Sequence, residues 1–243
     1  MISRAGLAYI AKRTGLTLYQ QEKDYLIKLF LYNYFKRYDS AVFKGGTCLR
    51  YLYGTERFSE DIDFNITIKP EEFEEQVAKT LNEVKLVGIK SGFIKKEQFK
   101  DAYTAEIWFY GPLYKGTNQT QNKFRIDAGK RGGIINEPRW ELISSEYPET
   151  REHFLIQTMD EQELLAEKLK TLFERGKGRD LYDVWYLTKK GVKIDLDLFK
   201  KKGGKKPDLS KVPSKKEYER DMEKLSSRMI PYTQIKSDLR RVI

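Results

Sequence analysis

The chain has 243 residues, 40% of them hydrophobic, and a formal net charge of +10, which allows a real core in one large domain or two small ones. Its single cysteine, Cys48, and single histidine, His153, exclude an internal disulfide and a zinc site of the usual Cys/His kind. No nucleophile motif accompanies His153, so catalysis falls to carboxylates, lysines and hydroxyls, and hard oxygen ligands suit Mg²⁺ or Mn²⁺. A basic surface favours polyanions such as nucleic acid and nucleotides, although a merely soluble surface accounts for such a charge equally well. No apolar run approaches membrane-spanning length, and Met1 to Gly6 carries no signal-peptide apolar region. A soluble, cytoplasmic protein with no membrane partner is expected.

Along the chain, Leu7, Ile10 and Ala11 suggest a short first helix. Thr17-Leu18-Tyr19-Gln20 fits a capping box, and Leu26, Leu29 and Phe30 keep helical spacing in the run to Tyr38, which predicts one long helix. Ala41-Val42-Phe43 reads as a short strand entering a Gly45-Gly46 turn, with Thr47 capping a helix through Leu49 and Leu52 to Gly54. From Asp61 to Ile68 the residues alternate, Ile62, Phe64, Ile66 and Ile68 on one face and Asp61, Asp63 and Asn65 on the other. Pro70 starts a helix through Phe73, Val77 and Leu81. Strand-rich stretches follow at 93–99, 103–110 and 123–127, with a further candidate at 140–143.

From Met159 the pattern turns helical, through Leu164 to Leu172 and then Leu181 to Leu187. Gly191 to Pro213 is rich in Lys and Gly and reads as a loop, and Glu217 to Met229 and Gln234 to Val242 read as closing helices. The organisation expected is α+β: an α/β domain with N-terminal helices over residues 1–155, then a helical domain over 156–243.

Three groups of residues point to chemistry. A Gly45-Gly46 turn between strand and helix lets backbone N–H groups approach a phosphate, although such turns are structural more often than functional. Asp61 and Asp63, two apart in a strand, project to the same face, where their repulsion is relieved by a divalent cation. Two Asp between Ile and Phe work against local strand preference, and local rules tend to break at functional sites. A two-metal site needs a third ligand from a neighbouring strand. Asp127 is the candidate, with a turn Asp before Gly129 as the equal alternative. In the helical half, Lys168 reads either as a triphosphate contact or as a solvated helix residue. Arg175, Lys177 and Arg179 form a basic cluster, and Asp180 reads as an N-cap with Asp183 one turn on.

Four blocks in order resemble the AbiEii/AbiGii toxin family, also called MenT-type toxins, within the DNA polymerase β-like nucleotidyltransferases. They are Phe43-Lys44-Gly45-Gly46-Thr47-Cys48-Leu49-Arg50, Arg57-Phe58-Ser59-Glu60-Asp61-Ile62-Asp63-Phe64, Leu164-Leu165-Ala166-Glu167-Lys168-Leu169 and Arg179-Asp180-Leu181-Tyr182-Asp183. The resemblance implies a mixed sheet with flanking helices followed by a helical C-terminal half. It implies transfer of NMP from an NTP to an acceptor, with tRNA 3′ ends the acceptor of some members, in a type IV-like toxin–antitoxin system with a cognate antitoxin protein. It assigns nucleotide contacts to Gly45, Gly46, Thr47, Arg57, Ser59 and Lys168, Mg²⁺ to Asp61, Asp63 and Asp127, and a later essential acid to Asp183. The Lys-rich segment 200–216 matches no motif of the family. Two other readings use the same residues: transfer to a small molecule, as in the aminoglycoside enzymes, and a non-catalytic nucleotide- or RNA-binding protein.

Overall fold

The structure, a computed structural model, describes residues 1–130, 132–226 and 228–242. In chain order it opens with helices α1 (Arg4–Thr14) and α2 (Leu18–Phe35), strand β1 (Ala41–Lys44) and helix α3 (Gly45–Tyr53). Strand β2 (Ile62–Ile66) and helix α4 (Pro70–Leu86) lead into β3 (Lys90–Phe99), β4 (Ala102–Tyr110), β5 (Asn122–Gly129), β6 (Arg139–Ser144) and β7 (His153–Thr158). Helices α5 (Glu161–Arg175), α6 (Gly178–Lys189), α7 (Leu196–Lys201), α8 (Lys215–Met222) and α9 (Tyr232–Leu239) complete the chain. The chain is α+β. Among the described residues no helix is long and apolar enough to cross a membrane.

Two compact units are made from interleaved stretches. The first comprises Met1–Phe43, Glu60–Arg131 and Trp140–Thr158, and the second Lys44–Ser59, Gly132–Arg139 and Met159–Ile243. Thr158/Met159 is thus one of several crossings, and stretches 44–59 and 132–139 cluster with the later helices.

The first unit is organised by a seven-stranded mixed sheet of order β3-β4-β5-β2-β1-β7-β6. β2 and β5 are parallel, as are β1 and β7, whereas β3–β4 and β4–β5 are antiparallel. The expected capping box at Thr17 forms and starts α2, and Pro70 at the first turn, with Glu71 and Glu72 behind it, starts α4. Both helices cover the sheet face that carries the apolar set. Phe30 of α2 meets Phe124 at 5.8 Å, Tyr34 meets Phe64 at 5.6 Å, and Phe73 of α4 meets Phe64 at 5.7 Å and Tyr103 at 5.8 Å. The predicted alternation in β2 holds for Ile62, Phe64 and Ile66, which are buried, but Asn65 is buried as well and the strand stops short of Ile68.

The second unit packs α5 through Leu164, Leu165, Leu169 and Leu172 and α6 through Leu181, Val184 and Leu187, all buried. Asp160 caps α5 on the N–H groups of Gln162 and Glu163, and Ser214 and Glu217 form a capping box for α8.

Four expectations change. β7 was not expected, because the run Phe154-Leu155-Ile156 lies directly before the helical pattern; its alternation, with Phe154, Ile156 and Thr158 buried, is the signal for it. The stretch 191–213 is not all loop, since Leu198 and Phe199 bury themselves in α7. The helix expected over 217–229 spans 215–222, and residue 227 of that range lies outside the described residues. The helix expected over 234–242 begins earlier, after Pro231, and ends at Leu239.

Phe64 is 1% exposed and has aromatic neighbours from α2, α4 and β1. Phe64→Ala is expected to cost about 3–5 kcal/mol by removing that packing, seen as a lower denaturant midpoint in equilibrium unfolding.

Candidate active site

The acids belong to the first unit. β2 and β5 run in parallel register with Ile62 beside Ile126 and Asp63 beside Asp127. Since the apolar partners turn to the face under α2 and α4, Asp63 and Asp127 turn together to the opposite face. Asp127 is therefore a strand residue and not a turn Asp. Asp61 lies one residue before β2 begins and is exposed.

The protein crowded around Asp61, together with the charges of Glu60 and Asp127, raises its carboxyl above the usual range, with Lys23 and Arg125 opposing. Lys23 is paired with Glu60 at 2.5 Å. Arg125, two residues before Asp127 on the same strand face, binds its carboxylate at 2.8 Å, and its charge also acts on Asp61.

Among the described residues, no three His, Cys, Asp or Glu side chains stand close enough together to hold a metal as they are. The donors nevertheless fit a hard divalent cation: Asp63 and Asp127 offer carboxylate oxygens from adjacent strands, and Asp61 lies immediately ahead of β2.

The phosphate-binding candidates belong to the second unit. Gly45 opens α3 with φ of 82°, a conformation that disfavours other residues. Lys44 is the N-cap and makes no side-chain capping bond, so the first-turn N–H groups are not spent on one. A Cβ on Gly46 would stand 2.5 Å from Arg57 Nη2 and 2.7 Å from Ser59 Oγ, so the second glycine lets both side chains lie against the turn. Thr47 is not the cap expected for it. It sits inside the first turn, and its hydroxyl donates to Ser59 Oγ at 3.1 Å.

Asp183 is fully buried and binds two cations. Arg57 donates through Nε at 2.5 Å and Nη2 at 2.6 Å, a two-point contact, and Lys168 Nζ lies 2.8 Å away. Burial alone would raise the Asp183 carboxyl, but Lys168 and Arg57 outweigh it and hold it below the usual range. Burial likewise works against the Arg57 charge, and Asp183 overcomes it. Lys168 is thus not a freely solvated helix residue. Asp180 is not an N-cap either: Lys177 takes that position, and Asp180 is buried against Arg175 at 2.7 and 2.9 Å. Of the expected basic cluster, Arg175 is therefore committed within the fold.

Sequence reading missed a second ion network in this unit. Glu167 accepts from Lys44 at 3.0 Å and from Lys202 at 3.0 Å, and Lys202, nearly fully buried, also reaches the Gly132 and Gly133 carbonyls and Glu163. Glu167 is held below the usual carboxylate range; burial opposes this, but Lys44 and Lys202 prevail. One lysine of the Lys-rich segment is thus internal, which composition alone does not reveal.

Solved structures share this fold. MenT4, a nucleotidyltransferase toxin of Mycobacterium tuberculosis, matches with a TM-score of 0.70 at 18% identity, over 99% of this chain and 88% of that one. JHP933 of Helicobacter pylori matches with a TM-score of 0.60 at 18% identity, over 90% of this chain and 88% of that one. No curated protein sequence matches the chain. The sequence pattern of the family described as nucleotidyl transferase AbiEii toxin, type IV TA system, matches residues 30–241, and the chain belongs to that family. It is a nucleotidyltransferase of the toxin–antitoxin class.

Asp183→Asn removes the buried charge that Arg57 and Lys168 share and is expected to cost about 3–5 kcal/mol, a fall of roughly 10 °C in melting temperature. The pH dependence has a definite sign. A carboxyl held low in the fold stabilises it above the unfolded value of about 3.9 and loses that contribution as pH falls through the lower folded value. Wild type is therefore expected to lose stability in acid below about pH 4 more steeply than Asp183→Asn, as thermal melts across that range would record.

Proposed function

We propose that the enzyme transfers a nucleoside monophosphate from an NTP to an RNA hydroxyl, the 3′ end of tRNA, and that this is its toxic activity in the cytoplasm. The observation that carries the reading is the register of Asp63 beside Asp127 on one sheet face, with Asp61 immediately ahead of β2. Asp61, Asp63 and Asp127 would hold Mg²⁺ or Mn²⁺. Bound there, a divalent ion supplies positive charge to phosphate oxygens and lowers the pKa of an acceptor hydroxyl.

The chain's own groups divide the remaining work. The first-turn N–H groups at Gly45, Gly46 and Thr47 bind phosphate, with Ser59 lying against the turn. Lys168 and Arg57 supply positive charge for the triphosphate. Asp183, buried beneath both, is a positioning residue that fixes where those charges stand. The bond from the acceptor oxygen to the α-phosphorus forms as the bond from that phosphorus to the bridging oxygen breaks. Pyrophosphate departs and the acceptor proton passes to solvent. No side-chain nucleophile is required, which suits a chain whose single Cys is buried. A cognate antitoxin completes the system by family membership.

Incubation with each labelled NTP, Mg²⁺ and total tRNA is expected to label RNA. Asp63→Ala is expected to reduce transfer about a hundredfold or more, and chelation to stop it until Mg²⁺ or Mn²⁺ is restored. Label on a small acceptor instead of RNA would favour the small-molecule reading. Thermal stabilisation by NTP without pyrophosphate release would favour a non-catalytic binder. Absence of transfer to every acceptor, or transfer indifferent to Asp63→Ala, defeats the proposal.

A further inference from the structure

The face that carries Asp63 and Asp127 continues along β5, β4 and β3. Pairing in register puts Asp127 beside Thr104, Arg125 beside Glu106 and Lys123 beside Trp108, and puts Trp108 beside Gly92 and Tyr110 beside Lys90. Directly paired residues share a face, so all of these side chains belong to the acids' side of the sheet. Trp108 and Tyr110 stand 4.5 Å apart, and Tyr110 stacks on Tyr114 at 3.7 Å with ring planes 5° from parallel. All three rings are half-buried. With about 3.4 Å per residue, Trp108 lies roughly 14 Å from Asp127 along the strand, and Tyr110 roughly 20 Å.

Each ring is held in place. A Cβ on Gly92 would stand 2.9 to 3.0 Å from the Trp108 indole, so the ring lies flat over that glycine. The Tyr114 turn is fixed from below by Glu22, a fully buried residue whose carboxylate accepts from Leu113 N at 2.6 Å and from Asn122 Nδ2 at 2.9 Å. Covering a bare glycine would account for Trp108 alone. It does not account for two tyrosines stacked beyond it or for a buried carboxylate spent on the turn that presents one of them.

We propose that Trp108, Tyr110 and Tyr114 form a stacking platform for unpaired bases at the 3′ end of a single-stranded RNA acceptor whose terminal hydroxyl reaches the Asp63/Asp127 pair. The inference rests on the RNA-transfer reading above. Between Asp127 and Tyr110, the face on β4 and β5 bears Thr104, Glu106, Arg125, Lys123 and Trp108, none of them aliphatic. That composition lacks the apolar centre of a protein-docking patch and has the aromatic and basic groups that follow a nucleic-acid strand. Lys123 and Arg125 reach solvent, each more than half exposed, although Glu106 and Asp127 are paired with them. The offset from the acids spans roughly four to six stacked bases at about 3.4 Å each. The platform therefore addresses the acceptor strand and not the nucleotide being transferred.

Trp108→Ala and Tyr110→Ala are expected to raise KM for an RNA with an unpaired 3′ end about tenfold or more, leaving KM for NTP unchanged. Trp108→Phe and Tyr110→Phe retain a ring and are expected to remain near wild type. Stacking releases no counterions, so the loss should be alike at low and high salt. Tyr114→Ala lies outside the sheet and provides a second route if the strand variants fail to fold. The same variants are titrated with a short fluorescent single-stranded RNA in the absence of NTP. Weaker binding that tracks loss of the ring supports the platform even if wild type transfers nothing to RNA, an outcome that would defeat the transfer reading alone. Unchanged KM and unchanged RNA binding in folded Ala variants, or an equal rise in KM for NTP, overturns the platform.

Discussion

The parallel pairing of β2 with β5 is the constraint on which the candidate chemistry depends. Its register sets Ile62 beside Ile126 and Phe64 beside Ala128 on the face beneath α2 and α4, and Asp63 beside Asp127 on the other. A strand has a period of two, so a slip of one residue in β2 would drive its carboxylate toward the aromatic core and turn Ile62 and Phe64 out. The cost of burying an unpaired carboxylate exceeds anything the slipped arrangement could recover. The hydrophobic core thus specifies the acid geometry. Burial and the charges of Glu60 and Asp127 raise the Asp61 carboxyl, a local cost of gathering acids at this end of the strands.

The second unit meets a different difficulty with a different device. Two cations, Arg57 and Lys168, stand close together and must be held against their mutual repulsion. Asp183 does this from a fully buried position, gripping Arg57 at two points and Lys168 at one. Burying an ion pair is poor value for stability, because desolvation consumes most of the attraction. Its worth lies in orientation. Arg57 is held where it can lie against Gly46, which has no Cβ to obstruct it. The Lys44–Glu167–Lys202 network repeats the device on the residue that precedes the turn.

Much of this was legible in the chain. The capping box at Thr17, the alternation from Asp61 and the leucine spacing after Met159 are local patterns, and local patterns survive into the fold. Asp127 could be named only as a candidate, because which strand lies beside β2 is decided by topology, and residues 63 and 127 are far apart in sequence. The readings that changed share a cause. Thr47 and Asp180 have capping side chains by type, yet each is claimed by another side chain outside its own helix: Thr47 by Ser59 and Asp180 by Arg175 across the turn between α5 and α6. Lys202 sits in a segment whose composition suggests solvent and is instead almost wholly buried on two glutamates. Propensity has no access to such partners.

The same register that fixes the acids also fixes what lies farther along their face. Because β4 pairs with β5 in unbroken antiparallel register, Trp108 is placed relative to Asp127 as firmly as Asp63 is, and Tyr110 follows it on β4. Yet they stand two and three side-chain rows away from it. Residues that near neighbours do not couple can change nearly independently in their energetic effect. Substitutions at the aromatic rows and at the acids are therefore separable in their energetic effect, although one sheet and one core beneath α2 and α4 carry both.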